Sequence, residues 1–156
     1  MKLLLISFGK AHENYVKEGI EDFTRRTGRY YPVSWLILPP PKNAASLTPE
    51  AYKKKEAEAL QGKLEKDDYL VCLDEHGKMF GSEQLAQFIA TRANESVKRI
   101  VFLIGGSYGI DPAILKQARF TWSFSPLVFP HQLARLILAE QLYRACTILN
   151  NEKYHH

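Results

Sequence analysis

The stretch VFLIGGSYGID, residues 101–111, is the most informative about the fold, because a continuous apolar run passes directly into a glycine-rich loop. The run from Ile100 to Ile104 is rich in β-branched residues, which is typical of a strand buried on both faces of a parallel sheet. Gly105, Gly106 and Gly109 follow it. Ligands of open α/β sheets bind at the carboxyl ends of strands, so this loop is a candidate binding element.

The glycine spacing excludes two nucleotide-binding motifs. A nucleoside triphosphate loop needs a lysine after its last glycine, and none follows Gly109. A dinucleotide fingerprint needs G-x-G-x-x-G, usually after the first strand, with an acidic residue about 20 positions on. Here the spacing is G-G-x-x-G after the fourth predicted strand, and position 129 is Phe. A tight turn without a ligand stays open as an alternative.

The rest of the chain alternates between strand and helix patterns. Strands are predicted at Leu3–Phe8, Val33–Leu38, Tyr69–Leu73 and within residues 120–125. Helices are predicted between His12 and Thr27, after Thr48, from Ser82 to about Arg92, after Asp111 and from Pro130 onward. Residues 74–78, DEHGK, are expected to form a turn. This alternation predicts one α/β domain, residues 1–156, with a mostly parallel sheet flanked by helices.

Composition limits the class of protein. The 156 residues are 46% hydrophobic with a net charge of +4, which is typical of a globular protein and suits an anionic partner such as RNA. Cys72 and Cys146 stand in apolar surroundings outside any CxxC pair, so we expect buried free thiols and a cytoplasmic location. No apolar run is long enough to span a membrane, and neither metal-ligand spacing nor a nucleophile elbow occurs.

Residues 123–135, SFSPLVFPHQLAR, form a second candidate site. Its prolines and serines predict an irregular backbone, whose free N–H and C=O groups could read the edge of a base beside Leu127, Val128 and Phe129. An ordinary proline-bounded connection is the alternative. His131 and Arg135 share one face of the first helical turn, where an anion would be favoured, although such pairs are more often caps or surface features.

The last helix and the tail each suggest a partner. Apolar residues spread around much of the helix over residues 131–149, which predicts burial on two sides and a second subunit on one of them. The tail NEKYHH, residues 151–156, offers a stacking ring, near-neutral imidazoles and a basic group, as an RNA contact would. A disordered end is the alternative.

In combination, these motifs resemble the RlmH-type RNA methyltransferases. The shared motifs are KLLLISFGK at 2–10, LDExGK at 73–78, SxxLA at 82–86, IGGSxG at 104–109, SFS…FPHQxxR at 123–135, LxEQxYRA at 138–145 and the Y-H pair at 154–155. The resemblance runs from Met1 to His156. One departure is His156, where that family commonly has a basic residue.

The resemblance implies a SPOUT fold, in which an α/β sheet carries a deep C-terminal trefoil knot that hydrophobic patterning does not predict. It also implies a homodimer that binds S-adenosyl-L-methionine. The implied activity is methylation of N3 of pseudouridine 1915, in a stem-loop of 23S ribosomal RNA within the assembled ribosome.

The implied site residues fall into two groups. Cofactor contacts are expected from Leu73, Gly105, Phe124, Ser125, Pro126, Leu127, Val128 and Phe129. Catalytic roles are expected for His131, Arg135, Tyr154 and His155. His155 or His131 would accept the N3 proton, Arg135 would stabilise negative charge on the base, and Tyr154 would stack. A different RNA target, a non-catalytic ribosome-binding protein and a flavodoxin-like enzyme are the alternatives.

Overall fold

Five strands form one parallel sheet in the computed structural model, which describes residues 1–155; His156 lies outside the described residues. The strands are β1 (Lys2–Phe8), β2 (Val33–Leu38), β3 (Tyr69–Met79), β4 (Arg99–Ile104) and β5 (Phe120–Ser123). Their order across the sheet is β2-β1-β4-β3-β5. The central strand β4 is buried on both faces, as its apolar run predicts. The α/β class with a parallel sheet is confirmed, and the knot stays a prediction.

Helices cover both faces of the sheet. They are α1 (Asn14–Thr27), α2 (Pro49–Gln61), α3 (Ser82–Asn94), α4 (Pro112–Gln117) and α5 (His131–Leu149), with a single 3-10 turn at Ala44–Ser46. On one face, α3 and α5 pack against Phe102 and its neighbours. On the other face, α2 and α4 pack against Val101 and Leu103. Because side chains alternate along a strand, β4 supplies both cores at once.

Two local predictions about helix starts have different outcomes. Thr48 caps α2 as expected, since its Oγ1 accepts a hydrogen bond from the Ala51 amide at 3.2 Å. Ser82 does not cap α3. That helix begins after Gly81, whose amide donates to Gln84 Oε1 at 2.8 Å, and the Ser82 hydroxyl donates instead to Gln141 Oε1 on α5.

The prediction of a turn at residues 74–78 is wrong in one respect. The strand β3 continues through this segment to Met79, and the segment forms an irregularity within the strand. Pairing with β5 is interrupted after Leu73 and resumes when Lys78 lies opposite Trp122. Asp74 Oδ1 still accepts the His76 amide at 2.9 Å, so a turn-like hydrogen bond exists inside the bulge.

The prediction that α5 is buried on two sides is confirmed, but both sides are covered within the chain, so this burial does not require another subunit. The helix is buried between α1, which packs through Val16 and Ile20, and α3 with the sheet behind it. The wide apolar surface of α5 therefore has partners within the chain. Leu133 and Ile137, one turn apart, remain only half-buried.

Candidate functional site

A single cavity of about 780 Å³ opens at the carboxyl ends of β3, β4 and β5. Its volume lies in the range of small-molecule sites. The predicted residues that line it are Leu73, Gly105, Phe124, Ser125, Leu127, Val128, Phe129 and His131. Pro126 lies between two lining residues without being one itself. The structure thus brings most of the predicted cofactor residues into one place, and their role as contacts stays a prediction.

The glycine loop forms a tight turn that serves as one wall of this cavity. The Gly109 amide donates to the Gly106 carbonyl at 3.0 Å, and Gly109 has a φ of +84°, which disfavours a side chain. A β-carbon added to Gly105 would lie 2.6 Å from Ile110 Cγ1 and 2.9 Å from the Gly109 carbonyl carbon. Close packing of the turn therefore depends on glycine at this position.

Residues 124–130 form the opposite wall without regular secondary structure. Two serines organise this wall: the Ser123 hydroxyl donates to the Ser125 carbonyl at 2.9 Å, and Ser125 Oγ accepts the Leu127 amide at 3.0 Å. Leu127 and Val128 are 69% and 78% exposed. Exposed apolar side chains beside a cavity are typical of a surface that a ligand or a partner protein covers.

His131 is the first residue of α5 and lines the cavity. Burial lowers the pKa of its imidazole, and the positive charge of Arg135 lowers that pKa further. The ring is therefore neutral at pH 7. A neutral imidazole in a ligand cavity can accept a proton.

Arg135 is fully buried and is not among the residues that line the cavity. Its guanidinium donates to Ser7 Oγ at 2.9 Å, to the Lys10 carbonyl at 2.9 Å and to the Phe8 carbonyl at 3.1 Å. Within residues 1–155 it forms no salt bridge with a carboxylate. It fastens the end of β1 and the residues just after it to α5, and its charge reaches His131 through space.

The tail is docked on the far part of α5. The Tyr154 hydroxyl donates to Glu140 Oε1 at 3.1 Å, and the Arg144 guanidinium lies 4.8 Å from the Tyr154 ring centre. Arg144 also donates to Glu140 Oε1 at 2.6 Å. His155 Nδ1 is 3.4 Å from Arg144 Nη1.

This docking separates the predicted catalytic residues into two places. A helix rises 1.5 Å per residue, so Glu140 and Arg144 lie about 14 and 20 Å along α5 from His131. Within one chain, therefore, Tyr154 and His155 do not line the cavity that contains His131.

Sequence reasoning missed the contribution of α2 to the glycine turn. Tyr52, Glu56 and Leu60 are buried at spacing i, i+4, i+8, while the other residues of the helix are mostly exposed. The Tyr52 ring packs edge-on against Tyr108 in the turn, with ring centres 5.1 Å apart. The same spacing is visible in the sequence, but the surrounding lysines and glutamates make α2 look solvated on all sides.

Within residues 1–155, no helix combines the length and the apolar character that crossing a membrane requires. Over the same residues, no group of three or more His, Cys, Asp and Glu side chains is arranged to hold a metal ion.

Fold and cavity together define an open parallel α/β protein with a cavity of small-molecule size at the carboxyl edge of its sheet. A family model described as "Predicted SPOUT methyltransferase" matches residues 1–155. The chain belongs to the SPOUT methyltransferase family, and it is therefore a methyltransferase.

Curated relatives align over the whole chain. The chain is 42% identical to the Ribosomal RNA large subunit methyltransferase H of Cytophaga hutchinsonii, with 100% of both chains covered. It is 40% identical to the protein of the same name from Acetivibrio thermocellus, with 99% of each covered. A solved structure, titled a probable methyltransferase from Bordetella pertussis Tohama I, matches with a TM-score of 0.53 and 13% identity, covering 92% of this chain and 95% of that one. The last match supports the fold alone.

Proposed function

We propose that this protein transfers a methyl group from S-adenosyl-L-methionine to N3 of pseudouridine 1915 in 23S ribosomal RNA. Its substrate would be a stem-loop within the assembled ribosome, in the cytoplasm. The names of the full-length relatives support the ribosomal target. The observation that carries the chemistry is one cavity in which the predicted cofactor residues surround a neutral His131.

The residues of the cavity fit this cofactor. Apolar side chains of Leu73 and Phe129 would contact the adenine, and the irregular backbone of residues 124–129 would meet its polar edge. At Gly105 the close-packed turn leaves backbone rather than a side chain against the ligand. When bound, the cofactor supplies an electrophilic methyl group on its sulfonium. A cavity without a phosphate-binding motif suits it, since it carries no phosphate.

His131 is the base that the structure favours. The imide proton of N3 must leave before or during methyl transfer, and the neutral imidazole of His131 can accept it. Holding the nucleobase and the methyl group in one cavity, oriented for transfer, supplies much of the rate enhancement, because the reaction no longer depends on a random encounter.

Arg135 would assist the proton and methyl transfer from a buried position outside the cavity lining. The negative charge that develops on the carbonyls of the base is stabilised by a cation in a low-dielectric surrounding. The same cation keeps His131 neutral by lowering its pKa. Because its N–H groups are held by Ser7, Phe8 and Lys10, Arg135 acts by charge at a distance in this structure.

A homodimer would reunite the separated catalytic residues. Tyr154 and His155 contact α5 at Glu140 and Arg144, about 14 and 20 Å along the helix from His131, so the tail of a second subunit is the more direct source of these side chains. Half-buried Leu133 and Ile137 on α5, together with the exposed Leu127 and Val128, would offer apolar surface to that subunit.

The proposal is tested by incubating purified protein with radiolabelled S-adenosyl-L-methionine and either assembled ribosomes or free 23S RNA that lack the modification. We expect one methyl group per ribosome and little transfer to free RNA. Cofactor binding without transfer to either substrate would indicate another RNA target. No cofactor binding in calorimetry would indicate a non-catalytic ribosome-binding protein, and a monomer that methylates no RNA would indicate a small-molecule enzyme.

A further inference from the structure

Glu56 is the only carboxylate in residues 1–155 with a buried oxygen that lacks a hydrogen-bond partner. Its side chain is 4% exposed, on the face of α2 that turns toward the sheet. Burying an ionised carboxylate with one oxygen unpaired is costly, so burial favours the neutral form of this group.

The carboxyl group packs directly against the glycine turn. A β-carbon added to Gly106 would lie 2.1 Å from Glu56 Oε2 and 2.6 Å from Oε1. One helical turn earlier on the same face, Tyr52 supports Tyr108. Thus α2 holds the turn at two points, at Gly106 through Glu56 and at Tyr108 through Tyr52.

The space around Glu56 is small. A cavity of about 10 Å³, room for no more than one water molecule, lies between α2, the turn and α4. The charged groups that line it besides Glu56 are Lys53 on α2 and Asp111 before α4. Asp111 is engaged in capping α4 through the Ala113 amide, and neither group forms a salt bridge with Glu56.

Burial raises the pKa of the Glu56 carboxyl to about 7, and a backbone hydrogen bond from Gly106 opposes that rise in part. The carboxyl thus changes charge near neutral pH, behind a wall of the large cavity. Gly105 and Gly109 line both cavities, so a movement of the turn away from Glu56 also changes the larger one.

We propose that Glu56 is a positioning residue for the ligand cavity: its neutral carboxyl holds the Gly106–Gly109 turn in place, and its ionisation loosens the turn and weakens ligand binding. The ionised form needs water, which enters only if the turn moves outward. Glu56 does not touch the ligand and acts through the turn. This inference rests on the proposed cofactor for its binding test.

The test compares the native protein with Glu56→Gln, which keeps the shape of the side chain but cannot ionise. The matched control is Glu58→Gln, on the exposed side of the same helix. Calorimetry measures binding of S-adenosylhomocysteine from pH 6 to pH 8.5. The native protein and the Glu58 variant should lose about tenfold in affinity over this range, whereas Glu56→Gln should lose far less.

A second readout needs no ligand. Hydrogen exchange of the Ser107, Tyr108 and Gly109 amides should accelerate above pH 7 in the native protein, beyond the chemical effect of pH, and not in Glu56→Gln. Identical pH profiles of binding and of exchange in the two proteins would overturn the inference. Absence of binding at every pH, with the exchange difference present, would overturn the proposed cofactor and leave the role of Glu56 standing.

Discussion

Tyr154 donates its hydroxyl to Glu140 Oε1 at 3.1 Å, far along α5 from His131. Arg144 joins them, with its guanidinium both bonded to Glu140 and stacked on the Tyr154 ring. The tail is therefore held on α5 by specific contacts with Glu140 and Arg144. Burial and Glu140 raise the pKa of the Tyr154 phenol, so it remains a donor to that carboxylate across the neutral range.

Subunit mixing tests whether the tail serves the other subunit. The two variants are His131→Ala and a chain that ends at Lys153, each inactive alone. If the tail acts across the dimer, mixed dimers contain one complete site, and an equal mixture recovers about a quarter of native activity. Activity is measured as methyl transfer to ribosomes after dissociation and reassociation. No recovery despite formation of mixed dimers would place the tail in its own subunit's site.

His131→Gln tests the base. We expect kcat to fall by about 10²–10⁴-fold with cofactor affinity close to native, because only proton acceptance is lost. Burial and, after it, Arg135 hold the pKa of His131 below its ordinary value, so the acid decline of native kcat should be centred below pH 6.5. The rate profile from pH 5 to pH 8 measures this. An acid limb that persists unchanged in the glutamine variant would contradict the assignment.

Gly106→Ala tests the packing of the turn. The added methyl group would overlap the Glu56 carboxyl, so the turn must move and cofactor affinity should fall about tenfold or more. Gly62→Ala is the control, since an added β-carbon there meets open space. Calorimetry with S-adenosylhomocysteine distinguishes them. Equal affinities would show that the turn does not shape the site.

Arg135→Met tests the buried cation. Three acceptors, Ser7 Oγ and the carbonyls of Phe8 and Lys10, lose their donor, and the unfolding free energy should fall by about 2 kcal/mol or more. The pKa of His131 should rise, because a positive charge beside it is removed. Urea unfolding and NMR titration measure the two effects. Arg29→Met, at an exposed position, should change stability by less than about 0.5 kcal/mol.

Glu56 also predicts how stability depends on pH. Its pKa rises from 4.5 in the unfolded chain to about 7 in the folded protein, so the folded state binds the proton more tightly. The stability that this tighter proton binding contributes is fully present below pH 4.5 and is lost as pH rises through 7. Urea unfolding at pH 5 and pH 8 should therefore show a decline in native protein that is smaller in Glu56→Gln. An equal decline in both would contradict the pKa shift.

Features that depend on local pattern were predictable. The apolar run of β4, the cap at Thr48 and the glycine turn after Ile104 follow from periodicity and turn chemistry, and the structure has them. The position of the cavity follows from parallel topology, because strand ends gather at one edge of the sheet.

Features that depend on distant contacts were not predictable. Polar residues 74–78 are typical of a turn, but pairing with β5 resumes at Lys78 opposite Trp122 and continues at Met79, which keeps the segment within the strand. The tail is held by Glu140, on a helix whose sequence does not indicate that contact. The apolar residues spread around α5 suggested a second subunit on one side of the helix. In the structure α1 covers that side, and helix periodicity alone does not reveal which element packs there.

Mass spectrometry of 23S ribosomal RNA is the measurement closest to the proposed methylation. RNA from cells that lack this protein is compared with RNA from the parent cells, nucleoside by nucleoside. We predict loss of one N3 methyl group from pseudouridine 1915 and its restoration by the native gene but not by His131→Gln. An unchanged methyl group at that position in the cells without the protein would rule out the proposed activity.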